Sequence, residues 1–396
     1  MRNYFRIFVA INTSTISKQY ISMKFTVSSS AVSSRLNTLS KVIAGKNSLP
    51  ILDCFLFQVS NNQLTITASD SSNMMQAIVE LTEWDGEGEF ALPHRTMLDA
   101  MKELPEQPLN FEVDMDTMAM KVNYQNGMYN FTAQRADEYP RPQHVSDAAS
   151  TITLSSQILI DNINRSLFAT ANDELRPVMN GIYFDFTPDS LTMVASDGHK
   201  LVRCQDFTIK SEVPTAFIMP KKPAMMLRNT LDKDGGDVEV RFDDRGAELK
   251  YEGGQLSCRL IEGRYPNYNS VIPENNPNSA TIDRASLASA LRRVLPFADE
   301  SSQLIRFHLE QGRIELSSED IQFATAAKEQ LACDYQGHPM SIGFKGGTLQ
   351  EVLANLEGEQ IIMQLADPSR AGIIIPAQQP ENEDILMLIM PMLLND

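Results

Sequence analysis

A chain of 396 residues with 42% apolar content can build several hydrophobic cores, and at about 100–200 residues per domain it predicts two to four domains. Its 34 Lys and Arg face 51 Asp and Glu, a formal net charge of -17, which excludes a protein that wraps nucleic acid by bulk charge. Any contact with nucleic acid must come from basic residues gathered locally. The cysteines Cys54, Cys204, Cys258 and Cys333 form no C-x-x-C pair, so neither a disulfide framework nor a metal site is expected and a reducing cytoplasm fits best. The histidines show no H-x-x-x-H or H-E-x-x-H spacing, and no stretch approaches the roughly 18 apolar residues that span a bilayer.

Residues 1–22 begin with Arg2, Arg6 and a short apolar run, 7–11, followed by Ile-Asn-Thr-Ser-Thr. An export signal needs a longer apolar stretch and a small-residue cleavage site, so this segment reads as an alternative translation start or a poorly ordered leader. Met23 then precedes the strand-like Lys24-Phe25-Thr26-Val27.

From there one pattern passes three times, with a period of about 125 residues. Each pass opens with a short strand and an amphipathic helix beginning near Ser30, Gln157 and Ser286, with Ser or Thr where an N-cap belongs. Strand pairs follow. The first is Phe55-Leu56-Phe57-Gln58-Val59 with Leu64-Thr65-Ile66-Thr67-Ala68-Ser69-Asp70, the second Ile182-Tyr183-Phe184-Asp185-Phe186 with Leu191-Thr192-Met193-Val194-Ala195-Ser196-Asp197. The third is Ile305-Arg306-Phe307-His308-Leu309 with Arg313-Ile314-Glu315-Leu316-Ser317-Ser318, and short polar turns predict hairpins in every case.

A strand then runs into a second helix at Phe90-Ala91-Leu92-Pro93, Phe217-Ile218-Met219-Pro220 and Ser341-Ile342-Gly343-Phe344, with helices expected over 97–104, 224–231 and 349–356. The first two passes close on Tyr139-Pro140 and Tyr265-Pro266, and both Pro93 to Pro220 and Asp70 to Asp197 are offset by about 127 residues. Two helices for many half-buried strands leave sheet edges open, and open edges invite pairing with the next copy or another chain.

Six stretches stand in order along this repeat: Met23-Lys24-Phe25-Thr26-Val27, Ser48-Leu49-Pro50-Ile51-Leu52, Asn180-Gly181, Ser196-Asp197-Gly198-His199-Lys200-Leu201, Gly263-Arg264-Tyr265-Pro266-Asn267-Tyr268 and Met390-Pro391-Met392. Together they resemble the beta subunit of bacterial DNA polymerase III, the sliding clamp family, over residues 23–394. The resemblance implies an α+β fold of three tandem DNA-clamp domains at 23–147, 148–275 and 276–396, each with two helices packed on antiparallel sheets. It implies that they close as a head-to-tail dimeric ring of six domains, helices lining the hole. The implied function is that of a processivity factor with no catalytic activity, cofactor or metal. Its implied partners are encircled duplex DNA, a second copy, the replicative polymerase alpha subunit, the clamp loader, repair polymerases and other clamp-motif proteins, in a cytoplasmic, nucleoid-associated setting.

On that architecture the charges sort. Arg95 and Lys102, and Lys221 and Arg228, lie seven apart and share a helix face, with Arg35, Lys41, Lys46, Arg165, Arg176, Lys222, Arg292 and Arg293 adding to the set. Acidic residues crowd 103–116, 232–248 and 357–384 instead, although Asp99, Asp161 and Glu351 sit on the helices. Phosphate contact without base readout would let a ring slide. By resemblance the DNA-facing residues are Lys46, Arg95, Arg176, Lys221 and Lys222.

The tail from Ile385 to Leu394 is unusually apolar; Pro391 must interrupt a sheet ladder there, and methionines offer adaptable surface. In the family this tail borders a cleft for short peptide motifs. By position the cleft takes Arg176, Met179, Ser196, Gly198, His199, Lys200, Leu201, Pro266, Ser270 and Val271, together with Leu388, Ile389, Met390, Pro391, Met392 and Leu393. Leu393 and Ser270 replace residues that are usually basic, which puts the preferred peptide in doubt.

Two other readings compete. Ser196-Asp197-Gly198-His199 suggests a hydrolase with His199 as base, but neighbours on a strand end point to opposite faces and no nucleophile elbow or phosphate loop accompanies them. A structural or adhesion repeat protein suits the acidic, β-rich repeat, but not the basic helix faces.

Overall fold

The computed structural model describes residues 22–43, 45–142 and 145–394. The expectation for the leader therefore falls outside the described residues, apart from Ser22. The described residues divide into two compact units, one of 22–40, 45–68 and 77–139, the other of 41–43, 69–76, 140–142 and 145–394.

Among the described residues six α-helices recur at the repeat spacing: α1 (Ser29–Ser40), α2 (His94–Met101), α3 (Ser156–Leu167), α4 (Lys221–Thr230), α5 (Arg284–Val294) and α6 (Gly346–Ala354). They pack in sequential pairs, α1 on α2, α3 on α4 and α5 on α6. Ser28 Oγ caps α1 through Ala31 N at 3.2 Å, and Ser155 caps α3 through Ile158 N at the same distance. The third cap is Asp283, which accepts from Ser286 N at 2.7 Å where Ser or Thr was expected. The second helix of each copy starts about three residues before the apolar pattern does. Pro93 and Pro220 stand at N-cap positions, and the first turn of each helix is polar.

In the first unit the strands Glu83–Asp85, Ser22–Ser28, Pro108–Asp114, Ala119–Tyr124 and Gly127–Thr132 form an antiparallel sheet in that order. Cys54–Ser60 pairs with both Gln63–Ser69 and Gly88–Pro93 in another. Phe25 stacks on Phe111 at 4.6 Å between ring centroids, and Phe57 on Phe90 at 5.4 Å. Tyr139, which closes the first pass, is buried with its hydroxyl on the carbonyls of Thr67 and Cys54 at 3.3 and 3.4 Å.

The second unit holds the second and third copies. Four strands of the second (Thr215–Pro220, Gly181–Phe186, Leu191–Ser196 and Lys200–Asp206) continue into Glu383–Ile389, Gly372–Pro376, Gln360–Leu365, Asn278–Asp283 and Asp334–Gln336 of the third. The join is the ladder from Lys200 opposite Ile389 to Asp206 opposite Glu383. An open edge of one copy is thus completed by the next, as the repeat predicts. A separate sheet runs Thr325–Ala332, Arg313–Asp320, Leu304–Glu310 and Met340–Lys345.

An ion cluster sits beside the join. Arg165 on α3 donates to Glu383 at 2.8 Å and reaches Glu357 at 3.5 Å. Arg165 and Glu383 side chains are only 7% and 15% exposed. The sequence places Arg165 in the set of basic residues on the helices, but its guanidinium is committed to this seam.

Candidate functional site

Alternation along the joining strands separates two faces. Cys204 lies against Arg165 and Ser166 of α3, so Lys200, Val202 and Cys204 face the helices while Leu201, Arg203 and Gln205 face away. Register carries this across: Leu201 stands opposite Leu388, which stands opposite Ile373, and Arg203 opposite Leu386. On this outer face Val194, Leu201, Ile218, Tyr265, Ala371, Ile373, Leu386 and Leu388 form one apolar cluster, flanked by Val178, Tyr183, Tyr268, Ile272 and Ile375. The result is an apolar cluster along the seam between the second and third copies.

Its rim contains most of the tail and hairpin residues singled out from the sequence. Met390, 42% exposed, donates its N–H to the His199 carbonyl at 2.8 Å. Pro391 stops the ladder as expected, and Met392 N turns to Gly343 O at 2.8 Å in the other sheet. Leu393 projects at 83% exposure beyond it. Met179 is buried behind the rim, Pro266, Ser270 and Val271 are exposed on the segment that brings Tyr265, Tyr268 and Ile272 to the cluster, and Ser270 Oγ is held by Asn267 O at 2.7 Å. Arg176 donates to Asp173 at 2.8 Å, and its guanidinium lies where a Cβ on Gly198 would come within 3.2 Å. Gly198 also has φ +91, a conformation that favours glycine, while the close contact is with the movable end of the Arg176 side chain.

Lys200 and its register partner Ile389 are placed differently from the rest. Both sit on the helix side, behind the cluster. The Lys200 ammonium bonds Asp197 at 2.9 Å and Glu351 of α6 at 3.2 Å, and lies 5.9 Å from the Phe168 ring centre. Burial disfavours its charge, but the two carboxylates outweigh that and hold its pKa above the usual lysine value.

The Ser-Asp-Gly-His stretch has a structural explanation. Asp197 Oδ1 accepts from His199 N at 2.8 Å and Lys200 N at 2.9 Å, capping the hairpin tip. Asp70 accepts from Ser72 N and Asn73 N at 3.0 and 2.7 Å, and Asp320 from Gln322 N and Phe323 N at 2.8 and 3.1 Å. The same aspartate cap thus recurs in all three copies, on a two-residue turn in the first two and on a four-residue loop in the third, where Asp320 pairs with Thr325. Burial works against the Asp197 carboxylate, but Lys200 and these backbone donors hold its pKa below the ordinary value. An aspartate so occupied orients no histidine as a base.

The polar contacts beside this cluster were not legible in the sequence. Arg203 bonds Asp384 at 2.6 Å, and Tyr268 donates to Asp185 at 3.2 Å. Burial raises the Asp185 pKa, and burial together with Asp185 pushes the Tyr268 phenol up to about 12. Val194, Ile218, Ile373 and Leu386 were missed too. The signal available was alternation in Gly372-Ile373-Ile374-Ile375, which places Ile373 and Ile375 on one face.

Among the basic residues, Lys46, Arg95 and Lys221 are exposed. Lys222 is not free: its ammonium bonds the Asp70 carboxylate and the Val42 carbonyl, the latter at 2.8 Å. Lys102 falls just past α2 and pairs with Asp99 at 3.1 Å. No group of three or more potential metal ligands occurs among the described residues, and no described helix is long and apolar enough to cross a membrane.

Comparison with known proteins places this geometry. The Pseudomonas putida beta sliding clamp is 26% identical over 371 residues, spanning 93% of this chain and 100% of the relative. The Caulobacter vibrioides beta sliding clamp is 26% identical over 372 residues, spanning 92% and 99%. The Thermotoga maritima DNA polymerase III beta subunit superposes with a TM-score of 0.85 at 26% identity, and the Pseudomonas aeruginosa subunit with 0.87 at 24%, each covering 94% of this chain and 100% of the other. Models of the N-terminal, central and C-terminal domains of the DNA polymerase III beta subunit match residues 23–143, 153–267 and 269–393 in turn. Three successive clamp domains account for nearly all of the chain, which therefore belongs to the DNA polymerase III beta subunit family of sliding clamps.

Proposed function

We propose that two copies of this chain join head to tail, encircle duplex DNA without reading its sequence, and tether the replicative polymerase. The clamp domains are taken as 23–147, 148–275 and 276–396. A groove over the apolar cluster would receive short peptide segments of the polymerase alpha subunit, the clamp loader and repair polymerases. Tethering raises local polymerase concentration at the primer end, an effective-concentration effect that needs no catalysis, cofactor or metal. Family membership sets the adhesion reading aside, and a nucleoid-associated place in the cytoplasm follows from the proposed task.

The observation that carries this reading is the ladder between Lys200–Asp206 and Glu383–Ile389. It shows how one copy completes the next, and the matching strands Thr325–Ala332 and Gly127–Thr132 each lie at the end of a sheet. Pairing those two strands between chains repeats the same join. Lys46, Arg95, Arg176 and Lys221 then serve as phosphate contacts, with Lys222 restrained by Asp70. Light scattering and small-angle scattering on the purified chain test it. A mass near twice 44.3 kDa with a hollow profile is expected, and a compact monomer at tens of micromolar refutes the ring.

A further inference from the structure

Lys200 is 9% exposed, and its ammonium meets carboxylates of two different copies. Asp197 belongs to its own hairpin, at 2.9 Å, and Glu351 to α6 of the third copy, at 3.2 Å. Asp197 is the cap of the tip: one of its oxygens takes the ammonium while the other accepts from His199 N and Lys200 N. The tip in turn holds the tail. Its His199 carbonyl accepts from Met390 N at 2.8 Å, just past the Lys200–Ile389 end of the joining ladder. A continuous series of bonds therefore leads from α6 to Met390, which is 42% exposed beside the apolar cluster.

The first tip shows that such a turn closes without a buried ammonium of its own. Asn73 stands there as Lys200 stands in the second: Asp70 N bonds Asn73 O at 3.0 Å, and Asp197 N bonds Lys200 O at 3.3 Å. The Asn73 amide simply closes on the Asp70 carboxylate, at 3.0 and 3.2 Å. The longer side chain in the second tip adds reach, and what it reaches is another copy.

We infer that Lys200 is a positioning residue for partner peptides: from the helix side it fixes the hairpin tip whose His199 carbonyl sets Met390 beside the apolar cluster. The inference rests on the reading of this cluster as the peptide site, and concerns a side chain that no peptide needs to touch. Leu201, the next residue, belongs to the cluster, so alternation puts the Lys200 side chain behind the strand. Groups that hold a binding residue from behind reduce the freedom it loses on docking. Without the ammonium the tip keeps its backbone bonds but loses its hold on α6, and Met390 is set less firmly. Glu351 is 53% exposed and its attraction is screened, so its share is the smaller one.

Fluorescence anisotropy with a labelled apolar clamp-motif peptide on the full chain tests this. Lys200→Met keeps the bulk and removes the charge, and should weaken binding about threefold to thirtyfold. Lys200→Arg, which retains a cation for both carboxylates, should restore affinity to within about twofold. Glu351→Gln should weaken binding about twofold, and should add nothing to Lys200→Met, because both act through one ammonium. A merely structural tie predicts lower unfolding stability for Lys200→Met with unchanged peptide affinity in the folded chain, and that result overturns the proposal. Additive losses in the double variant overturn the route through α6. A wild type that binds no such peptide overturns the site reading and the inference with it. A second readout holds even where Lys200→Met fails to fold. In chain labelled at the methionine methyls, the Met390 resonance should move in Glu351→Gln without peptide; an unmoved resonance overturns the positioning role.

Discussion

Replacing Arg165 by Met should weaken the second unit, and weaken it more as pH rises. The guanidinium is 7% exposed and its main partner Glu383 is 15% exposed, so the variant leaves a nearly buried carboxylate without its closest cation. Breaking a buried pair on one side costs about 3–5 kcal/mol; Glu357 is 67% exposed and adds little, so about 3 kcal/mol near neutral pH is expected. The direction with pH follows from Glu383. Burial already holds its pKa above 4.5 in spite of Arg165, and nearby Asp206 and Asp161 push the same way. Losing Arg165 raises it further, so the folded variant keeps a proton that the unfolded chain releases. Stability from such a raised carboxyl is present below the unfolded pKa and is lost as pH rises through the folded one, at about 1.4 kcal/mol for each added unit. Urea unfolding of the full chain, followed by circular dichroism at pH 5 and pH 8, measures this. Arg165→Met should lose more at pH 8, and Arg165→Met/Glu383→Leu should recover much of the loss by replacing the pair with packing. A loss under 1 kcal/mol at pH 8, or an equal loss at both pH values, refutes the reasoning.

Met390→Asp places a carboxylate on the exposed rim of the apolar groove, and should weaken binding of an apolar clamp-motif peptide at least about tenfold in fluorescence anisotropy, with an unchanged melting temperature. Arg95→Ala and Lys221→Ala should each lower the slope of log affinity for duplex DNA against log salt by about 0.9, provided each side chain meets one phosphate. Lys222→Ala should alter that slope less, because its ammonium is held by Asp70 and Val42, and should instead lower stability. Equal slopes for all three variants would remove the distinction drawn between Lys221 and Lys222.

Much of this architecture was legible because it repeats. Strand pairs, helix positions and the Tyr-Pro closures recur at one offset, and a period is readable where a single motif is not. The apolar tail and its interruption at Pro391 were legible too, since proline lacks the donor a ladder needs. The roles of individual charges were not. Arg165, Lys200 and Lys222 look like solvated helix or strand-end cations in sequence, yet each meets carboxylates brought from far along the chain: Glu383, Glu351 and Asp70. The groove wall was hidden for a related reason. Ile373 and Leu386 lie on separate strands and face one surface only through register, a property of pairing and not of local pattern.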